Sequence, residues 1–179
     1  LPGRHNISNA LAAAACTHAL NADPEKIARG ISDAHFPGMR SEIITLQSIS
    51  IINDCYNANP ASMKAALEML TSSPNEYRVA VLGDMLELGT YADYWHEELG
   101  KWVAQSGIDR LIVVGEMAGV IAEAATQAGM NTACVHVARN MEEIFWNLSD
   151  LPDKDAIVLV KASRGLHLDH VVNHLKAVA

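Results

Sequence analysis

Basic clusters are missing from this sequence. Lysine and arginine number 13 against 21 aspartates and glutamates, and the formal net charge is −8. A nucleic-acid binder ordinarily carries a basic stripe or patch, so no nucleic-acid partner is expected. Long hydrophobic runs are missing too. Nothing approaches the roughly 18 consecutive apolar residues of a membrane span, and no span is expected. Cysteine is scarce: Cys16, Cys55 and Cys134 are widely spaced, odd in number and include no CxxC pair. That argues against a disulfide framework or a zinc ribbon and fits a reducing, cytoplasmic compartment. No GxxxxGK[ST] loop occurs, since Gly100-Lys101 runs into Trp102 within a helical pattern, and there is no GxGxxG, GxSxG or HExxH string. The amino end has no initiator Met and no signal peptide; Leu1-Pro2-Gly3-Arg4-His5-Asn6 reads like the interior of a longer protein.

What remains is a chain able to bury a sizeable core. Half of its 179 residues are hydrophobic and 19% are charged, with no long run of one sign. That length suits one compact domain, or one domain with a fragment of another attached. Ser8 to Ala19 reads as an Ala- and Leu-rich helix capped by Asn6 or Ser8. Asp23-Pro24 opens a second helix ending near Gly30. His35-Phe36-Pro37-Gly38 is turn-rich and marks a boundary, giving segments 1–36 and 37–179.

Beyond it, short β-branched runs alternate with amphipathic helices. Ile43 to Leu46 and Ile49 to Asn53 read as strands joined in a hairpin through Gln47-Ser48. Strands are expected at Val79 to Leu82, Leu111 to Val114, Thr132 to Val137 and Ile157 to Val160. Helices are expected from Pro60 to Leu70, Ala92 to Gln105, Met117 to Ala128, Met141 to Leu148 and Leu166 to Ala177. The pattern predicts an α/β fold: a Rossmann-like, mostly parallel sheet with helices on both faces and right-handed crossovers. Ligands of such sheets sit beyond the carboxyl ends of the strands, so the segments after each strand matter most.

Three of those segments carry chemistry. Asp54-Cys55-Tyr56-Asn57-Ala58-Asn59-Pro60 packs a carboxylate, a phenol and two amides into one βα turn. Asp54 suits a ribose hydroxyl or a magnesium-bound water, and Asn57 and Asn59 suit phosphate or carboxylate oxygens at a helix start. The same residues also suit ordinary turns and caps. Gly83-Asp84-Met85-Leu86-Glu87-Leu88-Gly89 brackets two carboxylates between glycines, with His96 on the next helix. Asp84 and Glu87 suit an ammonium group or the orientation of a metal; solvated turn acids are the plainer reading. Lys161-Ala162-Ser163-Arg164-Gly165 brings two positive charges and a hydroxyl to the rim, suited to carboxylate or phosphate. Before the boundary, His5, Asn6 and Asn9 cluster near a helix start, where an amide can read a purine edge; Arg40, after it, can reach a phosphate. His170 and His174 are four apart, but no third metal ligand accompanies them.

Taken together, these strings resemble the Mur ligase family of peptidoglycan-precursor ligases. Gly3 to Ala14 resembles the end of its central ATP-binding domain, and Asp54 to Met63 the start of its carboxy-terminal domain. Leu82 to Gly89 and Lys161 to Gly165 look like the branch that joins D-alanyl-D-alanine to UDP-N-acetylmuramoyl-tripeptide. Ala162 stands where that branch usually has Gly, which puts the backbone of this loop in question.

The resemblance implies a three-domain parent, of which residues 1–36 are the helical end of the central domain and 37–179 the last domain. The missing amino-terminal and central domains of the same polypeptide would supply the UDP-sugar site, the phosphate loop and the Mg2+ sites. It further implies ATP-dependent formation of an acyl phosphate, attack by the dipeptide amine, and a last domain that closes over ATP. By motif position, Asn6 and Asn9 would lie near adenine, Arg40 near the phosphates, and Asp54, Tyr56 and Asn57 at ATP or its ribose. Asp84, Glu87, His96, Ser163 and Arg164 would border the dipeptide pocket. This part alone is expected to be monomeric and inactive. Two other readings stay open: a related ligase for diaminopimelate or D-glutamate, and a non-catalytic nucleotide-binding or interaction module.

Overall fold

The computed structural model describes residues 4–34, 38–47, 49–152 and 155–178. The chain divides into two compact units, residues 1–37 and 38–179. The predicted boundary falls largely on His35, Phe36 and Pro37, which lie outside the described residues.

The first unit is a helix pair, α1 (Arg4–Ala19) and α2 (Pro24–Ser32). The first helix starts four residues before the predicted Ser8. The second begins as its sequence indicates: Asp23 stays extended, its carboxylate accepts the N–H groups of Glu25 and Lys26, and Pro24 occupies the first turn.

The second unit is built on one six-stranded sheet: β1 (Glu42–Thr45), β2 (Ile49–Asn53), β3 (Tyr77–Gly83), β4 (Arg110–Val114), β5 (Val135–Ala138) and β6 (Ala156–Lys161). Their spatial order is β1-β2-β6-β3-β4-β5. Only β1 is antiparallel, pairing with β2 as the expected hairpin does (Ile43 opposite Ile52); Ser48 in its turn lies outside the described residues. The other four neighbouring pairs are parallel.

Alternation along the strands builds two core layers. On one face Ile52, Ala80, Leu82, Leu111, Val113 and Leu159 pack against α3 (Pro60–Thr71), α4 (Ala92–Gln105) and α5 (Ala118–Gln127). On the other, Ile51, Val79, Val81, Ile112, Val158 and Val160 pack against α6 (Met141–Leu148) and α7 (Asp169–Val178). The central strand β6 is buried along its whole length, as expected of a strand covered on both faces. Helix α3 starts in a reciprocal capping box: Asn59 Oδ1 accepts the Ser62 N–H at 2.8 Å and Ser62 Oγ accepts the Asn59 N–H at 3.0 Å. Helices α4 and α5 cross closely at Gly100, where a Cβ would stand 2.4 Å from the Ile121 carbonyl oxygen.

Two predicted boundaries shift. Residues Thr132–Cys134, read as the start of a strand, form a 3-10 turn capped by Asn131, a residue type that favours local side-chain bonds over a ladder. Leu166, expected to begin the last helix, instead closes a 3-10 turn (Arg164–Leu166) followed by His167 in the left-handed region (φ 53°), so α7 begins at Asp169. Among the described residues no helix is long and apolar enough to cross a membrane.

Candidate functional site

Strand order creates a crevice at the carboxyl end of the sheet. The chain runs outward through β3, β4 and β5 with α4 and α5 on one face, then returns to insert β6 between β2 and β3. The helix after β6 lies on the opposite face from those after β2 and β3. Adjacent parallel strands whose following helices diverge leave a cleft between them. The Asp54, Asp84 and Arg164 turns all leave the sheet at that edge, since Asn53 registers with Val160 and Leu82 with Lys161.

These turns are bonded to one another. The Ser163 N–H donates to the Asp84 carbonyl at 3.0 Å, and Ser163 Oγ accepts the Leu86 N–H at 2.9 Å. The Asp84 carboxylate is buried and accepts the N–H groups of Glu116 and Met117 at 2.8 and 3.1 Å, where α5 starts. Gly115 there has φ +120°, and a Cβ on it would stand 2.4 Å from that carboxylate. His96 is fully buried; its Nε2 accepts the Met85 N–H at 2.9 Å, so its proton sits on Nδ1, 2.7 Å from the Ala92 carbonyl oxygen. Asp84, His96 and Ser163 therefore hold the β3–α4 loop from behind. Glu87 (φ +66°) and Leu86 are exposed. Arg164 is also exposed, at 3.1 Å from both Asp169 Oδ1 and Met39 Sδ.

Ala162 faces the interior. Its methyl group is buried against Gly83, where a second Cβ would approach to 2.9 Å. Lys161 departs from the sequence reading. It is 1% exposed rather than a rim cation, and its ammonium donates to Asp54 Oδ2 at 2.5 Å and the Asn57 carbonyl at 2.9 Å. The other Asp54 oxygen accepts the Ser41 N–H at 2.8 Å. Both carboxylate oxygens are thus engaged by donors of this chain. Asn57 Oδ1 accepts the Ala58 N–H at 2.8 Å, and Asn59 caps α3 through its Oδ1. The Arg40 guanidinium lies 3.9 Å from the centre of the half-exposed Tyr56 ring, a cation–π arrangement that sequence spacing did not announce.

In the first unit, the Asn9 amide donates to Asn6 Oδ1 at 3.3 Å. Both line an apolar groove of about 460 Å³ with Ala10, Ala13, Ile27 and Ile31. The His5 side chain lies outside the described residues. His174 stacks on Phe145 with ring centres 3.9 Å apart. Among the described residues no group of three or more His, Cys, Asp or Glu side chains is placed to hold a metal ion.

The family model described as "Mur ligase, glutamate ligase domain" matches residues 39–164. The chain belongs to the Mur ligase family. Its curated Mur relatives include the UDP-N-acetylmuramoyl-tripeptide–D-alanyl-D-alanine ligases of Bacillus subtilis, 39% identical over 97% of this chain, and of Escherichia coli, 36% identical over 98%. This Mur chain spans 38% of the length of each. Among solved Mur structures, MurF from Acinetobacter baumannii superposes with TM-score 0.85 at 31% identity, covering 98% of this chain and 38% of that one. MurF ligase from Thermotoga maritima, solved in complex with ADP, superposes with TM-score 0.67 at 25% identity, covering 80% and 31%.

Proposed function

We propose that this chain is the carboxy-terminal part of an ATP-dependent ligase that joins D-alanyl-D-alanine to UDP-N-acetylmuramoyl-tripeptide in peptidoglycan synthesis, the first unit being the end of a central ATP-binding domain. The observation that carries the proposal is the crevice beside β6, where the β3 and β6 turns bind each other and the exposed Glu87 and Arg164 belong to those same turns. An acid and a guanidinium at one cleft suit a zwitterionic dipeptide, the acid for its ammonium and the guanidinium for its carboxylate. The names of the relatives point to the same substrates.

In this reading the precursor's terminal carboxylate becomes an acyl phosphate at the expense of ATP. The dipeptide amine attacks it, and phosphate leaves from a tetrahedral intermediate. Such a step needs alignment and charge neutralisation more than covalent help. Arg40 and Tyr56 face the nucleotide phosphates and ribose, with Asn57 and Asp54 in the same turn, and Asn6 and Asn9 serve the adenine. Glu87 and Arg164 receive the dipeptide, while Asp84, His96 and Ser163 shape its pocket. We assign no Mg2+ ligand to this chain, and the ion belongs with the phosphate loop of the parent. A monomer working in the cytoplasm completes the proposal.

The test is ligation by the full-length parent, offered D-alanyl-D-alanine, diaminopimelate or D-glutamate in turn and followed by product mass. Joining of the dipeptide is expected, with no turnover by residues 1–179 alone. Preference for another amine would transfer the chain to a different branch, and nucleotide binding without ligation would make it a non-catalytic module.

A further inference from the structure

Burying a lysine ammonium is costly unless it is paired and hydrogen-bonded. Lys161 nevertheless ranks among the largest fully buried side chains of the molecule. The groups it reaches are informative. One is the Asn57 carbonyl at the start of the α3 turn; the other is Asp54 Oδ2. The second Asp54 oxygen accepts the Ser41 N–H at 2.8 Å and lies 3.5 Å from Ser41 Oγ. One carboxylate thus ties the end of the central strand to the segment that enters the sheet.

That segment is held in a conformation it would not choose alone. Met39 (φ 68°) and Ser41 (φ 48°) are both left-handed without being glycine, and such backbone persists only where its surroundings enforce it. Three bonds do so: Ser41 N–H to Asp54, Tyr56 N–H to the Met39 carbonyl at 3.0 Å, and Met39 N–H to Glu42 Oε2 at 3.3 Å. Arg40 sits between the two left-handed residues, and the same arrangement delivers its guanidinium onto the Tyr56 ring. Among the described residues Arg40 has no ion-pair partner.

We propose that Lys161 is a positioning residue: acting through Asp54, its buried ammonium sets the backbone at Ser41 and thereby aims Arg40 at the nucleotide. The proposal deepens the ligase reading and rests on it for the identity of the nucleotide. A purely structural ion pair would tie two parts of the core. This one ends on the backbone of the residue next to an exposed guanidinium.

The experiment uses the full-length parent carrying Lys161→Met, which keeps the stem and removes the charge. The KM for ATP is expected to rise on the order of tenfold, the worth of one charge-assisted hydrogen bond, while the KM for D-alanyl-D-alanine changes less than about twofold. In an Arg40→Met background the same substitution should add less than about twofold, because the two act as one unit. Amide exchange at Ser41 should quicken on the order of tenfold in Lys161→Met as its acceptor loosens. If Lys161→Met does not fold, Lys161→Gln, which retains a donor, goes through the same measurements. A wild-type KM for ATP, independent effects of Lys161 and Arg40, or an unchanged Ser41 amide would overturn the proposal. Failure of the ligase reading is separate: the wild-type parent would then not join the dipeptide, while the Ser41 exchange still reports on the relay.

Discussion

Replacing Asp84 with alanine distinguishes a carboxylate that touches a ligand from one that builds the loop. In the structure this side chain is 5% exposed and accepts two backbone N–H groups, from Glu116 and Met117. The α5 N-cap residue, Met117, offers no side-chain cap of its own, so Asp84 supplies that function from another strand. Hydrogen bonds to a charged group each contribute about 1.5–3 kcal/mol. Glu116 is exposed and Met117 half-buried, so water replaces part of what is lost. The expected destabilisation for Asp84→Ala is therefore about 2–3 kcal/mol, between a lost cap and two fully buried charged bonds. Asp84→Asn keeps one acceptor but turns a donor toward the other N–H, and should cost about 1–2 kcal/mol. Urea unfolding followed by circular dichroism reads the change as a lower midpoint at constant m. A loss of dipeptide binding with a stability change below about 0.5 kcal/mol would refute the reasoning and return Asp84 to direct substrate contact.

Gly100→Ala should destabilise by about 1–3 kcal/mol, since its methyl meets the Ile121 carbonyl at 2.4 Å and the α4–α5 crossing must open; thermal unfolding measures it. Asn59→Ala removes the side-chain acceptor of the α3 capping box, leaving the backbone N–H of residue 59 on Ser62 Oγ, and should cost about 1 kcal/mol in the same assay. Burial, reinforced by the Asp169 and Asp54 charges, pushes the Cys55 thiol up to about 12, so at pH 8 it should resist iodoacetamide while the exposed Cys16 reacts. Because the folded state holds that proton longer than the unfolded chain, its contribution to stability is complete below about pH 9 and fades as pH rises toward about 12. A pH titration of the unfolding midpoint, comparing wild type with Cys55→Ala, checks the sign.

Much of the sheet was legible because periodicity and burial coincide. The runs around Val79, Leu111 and Ile157 are short, β-branched and continuously apolar, as strands covered on both faces are, and helices such as Ala92–Gln105 and Met141–Leu148 start and stop where the pattern says. Boundaries failed where local side-chain bonds or a single left-handed residue override the pattern, as at Asn131 and His167. The candidate site was legible as a set of turns but not as a set of roles. Sequence spacing treats Asp84, Glu87, Lys161 and Arg164 alike as charged rim residues. Which of them turns inward depends on helix N–H groups and carbonyls contributed from residues 32, 33 or 104 positions away. The Lys161–Asp54 pair joins residues 107 apart, and no local pattern announces it.

The central claim is that ligands meet this domain at the carboxyl end of its sheet, beside β6. A crystal structure of the full-length parent with a non-hydrolysable ATP analogue and D-alanyl-D-alanine tests it most directly. The account predicts the nucleotide against Arg40 and Tyr56 and the dipeptide between Glu87 and Arg164. Ligands bound at the opposite end of the strands, or a dipeptide remote from both Glu87 and Arg164, would contradict it.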